Sequence, residues 1–368
     1  MKRLLAAALA ATMAITLAAC GSTAAPAAGS TAPAAEAAQE EAAPAAEPTG
    51  KIAVIRNMSA SDHTTQFFQG CIDEGKALGY TVDTFMSDQD DTKMQDLMNQ
   101  CLNKDYDIWV VSHANEGYQN ELVSKAVEKG IKVACFDCGG EHVPGVSYTS
   151  QNDRSLSEIS LDAMIETAKA AGIQEPVPFV EINILGLIVP FDTRHAVIEE
   201  YEAAGKIKTI QLISPNLASD TYSQINTAVS SLLKQYPEGQ IGGLWAASSG
   251  FLDGAIDAIE EANRTEIAVS AVDISNTEIQ RLVEHPEYCC CAAVDPYVIG
   301  VVDVRLAVLN SLGVETPETV VLEAVKVSGE DLTAEDDMST LANHFEDFGS
   351  TDLYDTDEIK ELRAKFAN

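Results

Sequence analysis

Ile52-Ala53-Val54-Ile55 is a short apolar run rich in β-branched residues, and an amphipathic stretch over 65–78 follows it, stopped by Gly79. A buried strand leading into a helix is the unit this pattern predicts. The unit then repeats. Further strand-like runs lie at 81–86, 108–112, 132–136, 178–185, 209–213, 243–246, 268–272 and 290–294, separated by helical patterns. Such alternation gives parallel sheets with helices on both faces. One sheet of that many strands would be unusually wide, so the reading is α/β with two doubly wound parallel-sheet lobes and a ligand cleft between them. Trp109 and Trp245 fall inside predicted strands and are expected to pack in the core.

Outward from this repeat, the chain begins Met1-Lys2-Arg3, continues in an apolar run and reaches Leu17-Ala18-Ala19-Cys20. A charged start, about a dozen apolar residues and small residues before a cut form a secretory signal, too short to span a bilayer. Leu-Ala-Ala-Cys resembles the lipobox of bacterial lipoproteins. That resemblance implies cleavage after residue 19 and lipid on Cys20, hence an extracytoplasmic chain anchored to the bacterial cell membrane. Residues 20–49 are almost wholly Ala, Pro, Ser, Thr and Glu without an aromatic residue, a composition that reads as a disordered tether. A formal net charge of -34 and a pI near 4.3, with no Lys/Arg cluster, exclude nucleic acid as a partner.

In parallel α/β sheets the ligand sits beyond the carboxyl ends of the strands. The first strand here leads to Asn57, Ser59, Ser61, Asp62 and His63; the third ends in Ser112-His113, and the fourth in Asp137-Cys138. In the second half, the loop after Leu185 ends in Asp192-Thr193-Arg194 at a predicted helix start, Ala247 leads to Ser248-Ser249, Val272 to Asp273 and Val294 to Asp295. Carboxylates and a guanidinium converging at strand ends suit a neutral polyhydroxylated ligand, because each hydroxyl can donate to a carboxylate and accept from arginine.

The order of these residues resembles the periplasmic sugar-binding proteins of the ribose and galactose type, the substrate-binding subunits of sugar ABC importers, over nearly all of residues 50–327. Gly70 through Leu78-Gly79-Tyr80 is similar to that family's first helix and its end, and Ile131-Lys132-Val133 through Phe136-Asp137 to the strand that delivers an aspartate to the sugar. Ser150-Gln151-Asn152 resembles the first lobe crossing, Arg194 falls at the family's arginine, and Gly254-Ala255 sets Ser248 at its asparagine position. Val272-Asp273 is similar to the second sugar-binding aspartate, and Asp295-Pro296-Tyr297 with Gly300 to the second crossing. The resemblance implies a type I binding-protein fold with a three-crossing hinge near Gln151, Val294 and Val327. Its lobes would be residues 50–150 plus 295–327 and residues 151–294. It further implies a monomer that closes over a sugar or polyol and hands it to a membrane permease. Asp137, Arg194 and Asp273 are the leading site residues, followed by His63, Ser248, Cys138, His113, Asn57 and Asp295.

Departures from the family narrow the ligand less than the fold. His63 and Thr64 stand where an aromatic pair commonly stacks on the sugar, Cys138 where an arginine often follows the aspartate, and Val294 where a glutamine precedes Asp-Pro. A hexose, a deoxy sugar, a polyol or a furanosyl signal such as autoinducer-2 all remain open. A sensor feeding a chemoreceptor or histidine kinase is the alternative to import. No nucleophile elbow, zinc-protease helix or phosphate loop occurs, and Ser248-Ser249-Gly250 has no assignable histidine or acid partner, so no enzyme, cofactor or metal is expected. Cys135 and Cys138 share C-x-x-C spacing, but Cys135 lies inside a predicted strand rather than at a helix start, and strand pleating turns alternate residues of Cys289-Cys290-Cys291 to opposite faces, so all read as small buried residues. With Cys71 and Cys101 they make an odd seven, so one at least stays unpaired in a monomer. The acidic extension 328–368 offers two amphipathic segments, 341–348 and 356–366, as helices packed on a lobe or as disordered chain.

Overall fold

The computed structural model describes residues 48–349 and 351–367. The signal, Cys20 and the tether lie outside the described residues. Two six-stranded sheets form the frame. The first contains β1 (Gly50–Arg56), β2 (Tyr80–Met86), β3 (Ile108–Ser112), β4 (Lys132–Phe136), β5 (Ser147–Gln151) and β11 (Thr319–Leu322), all parallel, in the order β11-β5-β4-β3-β1-β2. The second contains β6 (Val177–Ile182), β7 (Ile207–Ile213), β8 (Gly243–Ala246), β9 (Ala268–Val272), β10 (Tyr288–Ala293) and β12 (Val325–Val327), in the order β12-β10-β9-β8-β6-β7. Only β12 runs antiparallel, against β10.

Helices cover both faces of each sheet, as parallel strands require. In the first lobe α1 (Asp62–Ala77) and α9 (Pro296–Ser311) pack together on one face, with α2 (Asp91–Leu102) and α3 (Glu116–Glu128) on the other. Glycine permits the α1–α9 contact: a Cβ at Gly70 would lie 2.1 Å from the Tyr297 carbonyl oxygen, and one at Gly300 would lie 2.4 Å from that of Phe67. In the second lobe α4 (Asp153–Ala170) lies against β8, β9 and β10 beside α5 (Val189–Ala203), while α6 (Thr221–Gln235) packs on α7 (Asp253–Glu261); α8 (Asn276–Glu284) precedes β10. Trp109 and Trp245 are fully buried, as expected, and Trp245 Nε1 donates to Ser160 Oγ.

The chain passes between sheets at β5 to α4, at β10 to α9 and at β11 to β12. The third passage corrects the sequence reading. It falls at Glu323-Ala324, before Val327, because Val325–Val327 already pairs with β10 in the second sheet. Beyond it the extension is ordered differently from either option. The segment 341–348 supplies only a 3₁₀ turn at Leu341–Asn343, whereas the last segment forms α10 (Asp357–Phe366). Leu341, Phe348, Ile359 and Leu362 nevertheless join the core. The cysteines at 71, 101, 135, 138, 289, 290 and 291 are free thiols, and burial pushes the Cys71 and Cys135 thiols up, which fits packing rather than reactivity.

Candidate ligand-binding site

Strand register assembles the first half of the site. Arg56, Ser112 and Phe136 pair side by side at the carboxyl ends of β1, β3 and β4. The next residues, His113 and Asp137, adopt left-handed backbone with φ of 59° and 46°, as does Asp273 after β9 at 69°. Asp and His tolerate that region better than bulkier residues do. At all three positions the chain kinks where strand order brings ligands to an α/β sheet, and such kinks cluster at binding sites. His113 N and Asp137 N remain satisfied by the carbonyls of Phe136 and Thr149.

The first lobe contributes a cation that the sequence reading missed. Arg56 is fully buried, donates through Nη1 to Ser112 Oγ at 2.8 Å and lies 2.9 Å from His63 Nδ1, with its guanidinium 4.5 Å above the Phe67 ring. Thr64, at one of the expected aromatic positions, instead accepts from Arg56 Nε. Burial lowers the Arg56 pKa to about 10, opposed chiefly by Asp137. Burial, then Arg56, also pushes the His63 and His113 imidazoles well below their usual range, so both are neutral. Arg56 is the last residue of β1, one before the loop whose polar residues stand out in the sequence.

The second lobe supplies Arg194, Asp153 and Asp273. Arg194 is buried and donates from Nε to Asp153 Oδ1 at 2.8 Å and from Nη1 to the Ala247 carbonyl; Asp273 Oδ2 stands 3.7 Å from Nη1. Arg194 does not open its helix. The helix starts at Val189 with Pro190 in its first turn, so Arg194 sits in the second turn and faces inward. Asp153 was missed because it reads as the first residue of a helix capped by Asn152, which it also is. Ser248 follows the Ala247 carbonyl and is half-buried beside this cluster.

Asp137 carries the electrostatic signature of the cleft. Its carboxyl is pushed up to about 7, first by burial and then by Asp153, against Arg194 and Arg56; Asp273 pushes it further. Three of those four groups belong to the opposite lobe, so the two halves of the site face one another closely. A direct bridge holds them there: Asp62 on α1 accepts from the backbone N–H of Asn276 on α8 at 2.9 Å.

Three predicted site residues have local partners. Asn57 Nδ2 donates to Asp91 and Tyr118 and its Oδ1 accepts from Ser87 Oγ, so it ties α2 and α3 to β1. Cys138 Sγ turns back to the carbonyls of Val111 and Phe136 and packs on the core of the first lobe. Asp295 caps α9 through Tyr297 N and accepts from Gly349 N in the extension. Each has the residue type of a ligand contact, and a local backbone or side-chain partner takes it first.

A periplasmic binding protein domain model matches residues 52–312. No curated protein matches the chain. Among solved structures, a sugar ABC transporter from Yersinia enterocolitica subsp. enterocolitica 8081 is 32% identical, covers 86% of this chain and 95% of its own, and superposes with a TM-score of 0.75. The 5-methylthioribose transporter solute-binding protein of Thermotoga lettingae, in complex with 5-methylthioribose, is 20% identical over 87% and 98% of the two chains, with a TM-score of 0.74. A solute-binding protein from Actinobacillus succinogenes with bound D-allose gives 18%, 76% and 98%, and 0.66; these last two likenesses speak to fold alone. With its two parallel-sheet lobes and three crossings, this chain belongs to the periplasmic binding protein family, the solute-binding proteins of ABC transporters.

Proposed function

We propose that this chain captures a neutral sugar or sugar-like polyol between its lobes and delivers it to an ABC permease, held at the outer face of the cell membrane by lipid on Cys20. The observation that carries the reading is the charge balance of the cleft. Arg194 faces Asp153 and Asp273, Arg56 lies near Asp137, whose carboxyl is raised to about 7, and both histidines are held well below their usual range. A ligand with net charge would unbalance that set, whereas hydroxyl groups can accept from the guanidinium groups and donate to the carboxylates. Ligand contacts from both lobes favour the closed form and so drive hinge closure. No observation favours the sensor alternative.

A thermal-shift screen of the whole chain tests this, with pentoses, hexoses, polyols and autoinducer-2, and with amino acids and nucleosides as controls. A ligand at a hundred times its dissociation constant adds roughly 2.7 kcal/mol, a readable shift in melting temperature. A shift with one sugar or polyol class supports the reading. A shift with amino acids or nucleosides alone overturns it.

A further inference from the structure

At the end of the second lobe opposite the cleft, three side chains from separate segments converge. Glu260 lies in the last turn of α7, His285 caps the carboxyl end of α8, and Glu287 immediately precedes β10. One ligand atom from each, an imidazole nitrogen and two carboxylate oxygens, lies within 4.8 Å of the others. We propose that Glu260, His285 and Glu287 bind a divalent transition-metal ion of the zinc class.

An unmet polar group points to a ligand. Glu287 is 8% exposed, and its Oε1 is buried with no hydrogen-bond partner. Glu260 Oε1 is likewise buried and stands 2.8 Å from His285 Nδ1. A buried carboxylate oxygen without a partner is costly, and a cation shared with Glu260 and His285 would satisfy it. The surrounding charge agrees. The site lies at the negative ends of two helices, with Glu261 and Glu284 alongside, and the nearby Arg281 is taken up by Asp253 and Asp257 at 3.2 and 3.0 Å.

The frame is already fixed. His285 N donates to the Arg281 carbonyl, Tyr288 N to that of His285, and Val269 N to that of Glu287, while Pro286 stiffens the turn between the two ligands. The donor set selects the metal class. One imidazole and two carboxylates suit zinc with water in the fourth position, whereas calcium and magnesium prefer oxygen throughout. One separation is 2.8 Å and all lie within 4.8 Å, a range that includes the edge of about 3.3 Å that a tetrahedron around zinc would need. His285 Nε2 has Glu284 Oε2 behind it at 3.9 Å, in the direction from which a second carboxylate orients a ligating ring. Sequence spacing hid the group, because Glu260 is separated from His285 by a strand and a helix.

The test titrates the whole chain, stripped with chelator, with Co2+ and Zn2+ alone, and follows both melting temperature and the cobalt absorption spectrum. Uptake of a single cobalt without a thiolate charge-transfer band, together with a zinc-dependent rise in melting temperature, is expected. Glu287→Gln should weaken uptake by at least about tenfold. Glu260→Gln, at a half-buried position that the fold tolerates more easily, should do the same. No uptake by the native chain overturns the proposal, as does unchanged uptake in the two variants. A thiolate band also overturns it by placing the metal on the cysteines.

Discussion

The Asp62 carboxylate, at the first turn of α1, accepts from the backbone N–H of Asn276, the first residue of α8, so one side chain serves helix starts in both lobes. Both helices present unsatisfied N–H groups and positive dipole ends to it. The bridge exists only while the lobes are together, so it would act as a latch on the closed form that the proposed hinge closure requires. Asp62→Ala should therefore weaken ligand binding by about three- to tenfold while the ligand contacts stay intact. Calorimetry would give the loss, and small-angle scattering should show a larger open population before ligand is added. Unchanged affinity and an unchanged scattering curve would remove the latch.

Asp137 ties binding to pH. Its carboxyl is raised to about 7 by burial and by the carboxylates across the cleft. A hydroxyl that donates to Asp137 needs the ionised form, and below pH 7 that form must first be generated against the burial penalty. Affinity is thus expected to rise between about pH 6 and pH 8 and to level off above. Asp137→Asn should flatten the profile and lower the plateau. A native affinity independent of pH across that range would contradict the assignment.

The two buried guanidinium groups are expected to act from opposite lobes. Arg194→Ala removes a donor held by Asp153 and the Ala247 carbonyl, and Arg56→Met removes one held by Ser112 and stacked on Phe67. Charge-assisted hydrogen bonds contribute roughly 1.5 to 3 kcal/mol each, so either change should cost at least about tenfold in affinity. Measured dissociation constants decide it. An Arg56→Met variant that binds normally would confine that residue to supporting His63 and Ser112.

A second carboxyl makes the stability of the fold depend on pH. Asp303 on α9 is fully buried; its Oδ1 accepts from Thr149 Oγ1 at 2.6 Å, while its Oδ2 has no partner. Burial, aided by Asp137, raises it to about 8. Between the usual aspartate range near 4 and about pH 8 the folded chain binds a proton that the unfolded chain has released. Stability therefore falls as pH rises through that window and is level above it. Asp303→Asn should flatten this slope and raise the melting temperature at pH 9 relative to the native chain, with little change at pH 5. A native and variant profile of equal slope would show that Asp303 is ionised throughout.

Much of this frame was legible because period and punctuation are local signals. The strand-like runs at 108–112, 132–136, 243–246 and 268–272 coincide with β3, β4, β8 and β9, each buried at every position or all but the first. The polar strand Ser147–Gln151 and the short strands β11 and β12 were not legible, because pairing with neighbours rather than apolar content makes them strands. At the site, Asp137, Arg194 and Asp273 lie where strand ends or their order along the chain put them. Arg56 and Asp153 did not announce themselves, since one is the last residue of a strand and the other the first of a helix. Asn57, Cys138 and Asp295 have the residue type of a ligand contact, and each also has a nearby partner that no spacing rule reveals.

The extension joins the two lobes along the side of the hinge, and one carboxylate holds its far end. Met338 N donates to Asn276 Oδ1 and Gln280 Nε2 to the Asp336 carbonyl in the second lobe; Arg305 on α9 then donates to the carbonyls of Thr351 and Leu353 in the first. Glu74 Oε1 accepts from both Arg305 Nε at 2.9 Å and Arg363 Nη2 at 2.8 Å, and Arg363 also reaches Asp355. Glu74 and Arg305 are almost fully buried, so removing the shared negative charge leaves a desolvated cation with the Thr351 and Leu353 carbonyls and, 3.8 Å away, the Asp355 carboxylate. Breaking such a pair costs on the order of 3 kcal/mol, far more than a surface ion pair. Glu74→Gln should accordingly lower the urea midpoint with little change in the slope, because the same surface is exposed on unfolding. Ending the chain at Ser328 should lower it further, since Leu341, Phe348, Ile359 and Leu362 leave the core as well. Equal midpoints for the native chain and both variants would mean that the extension rests on the lobes without stabilising them.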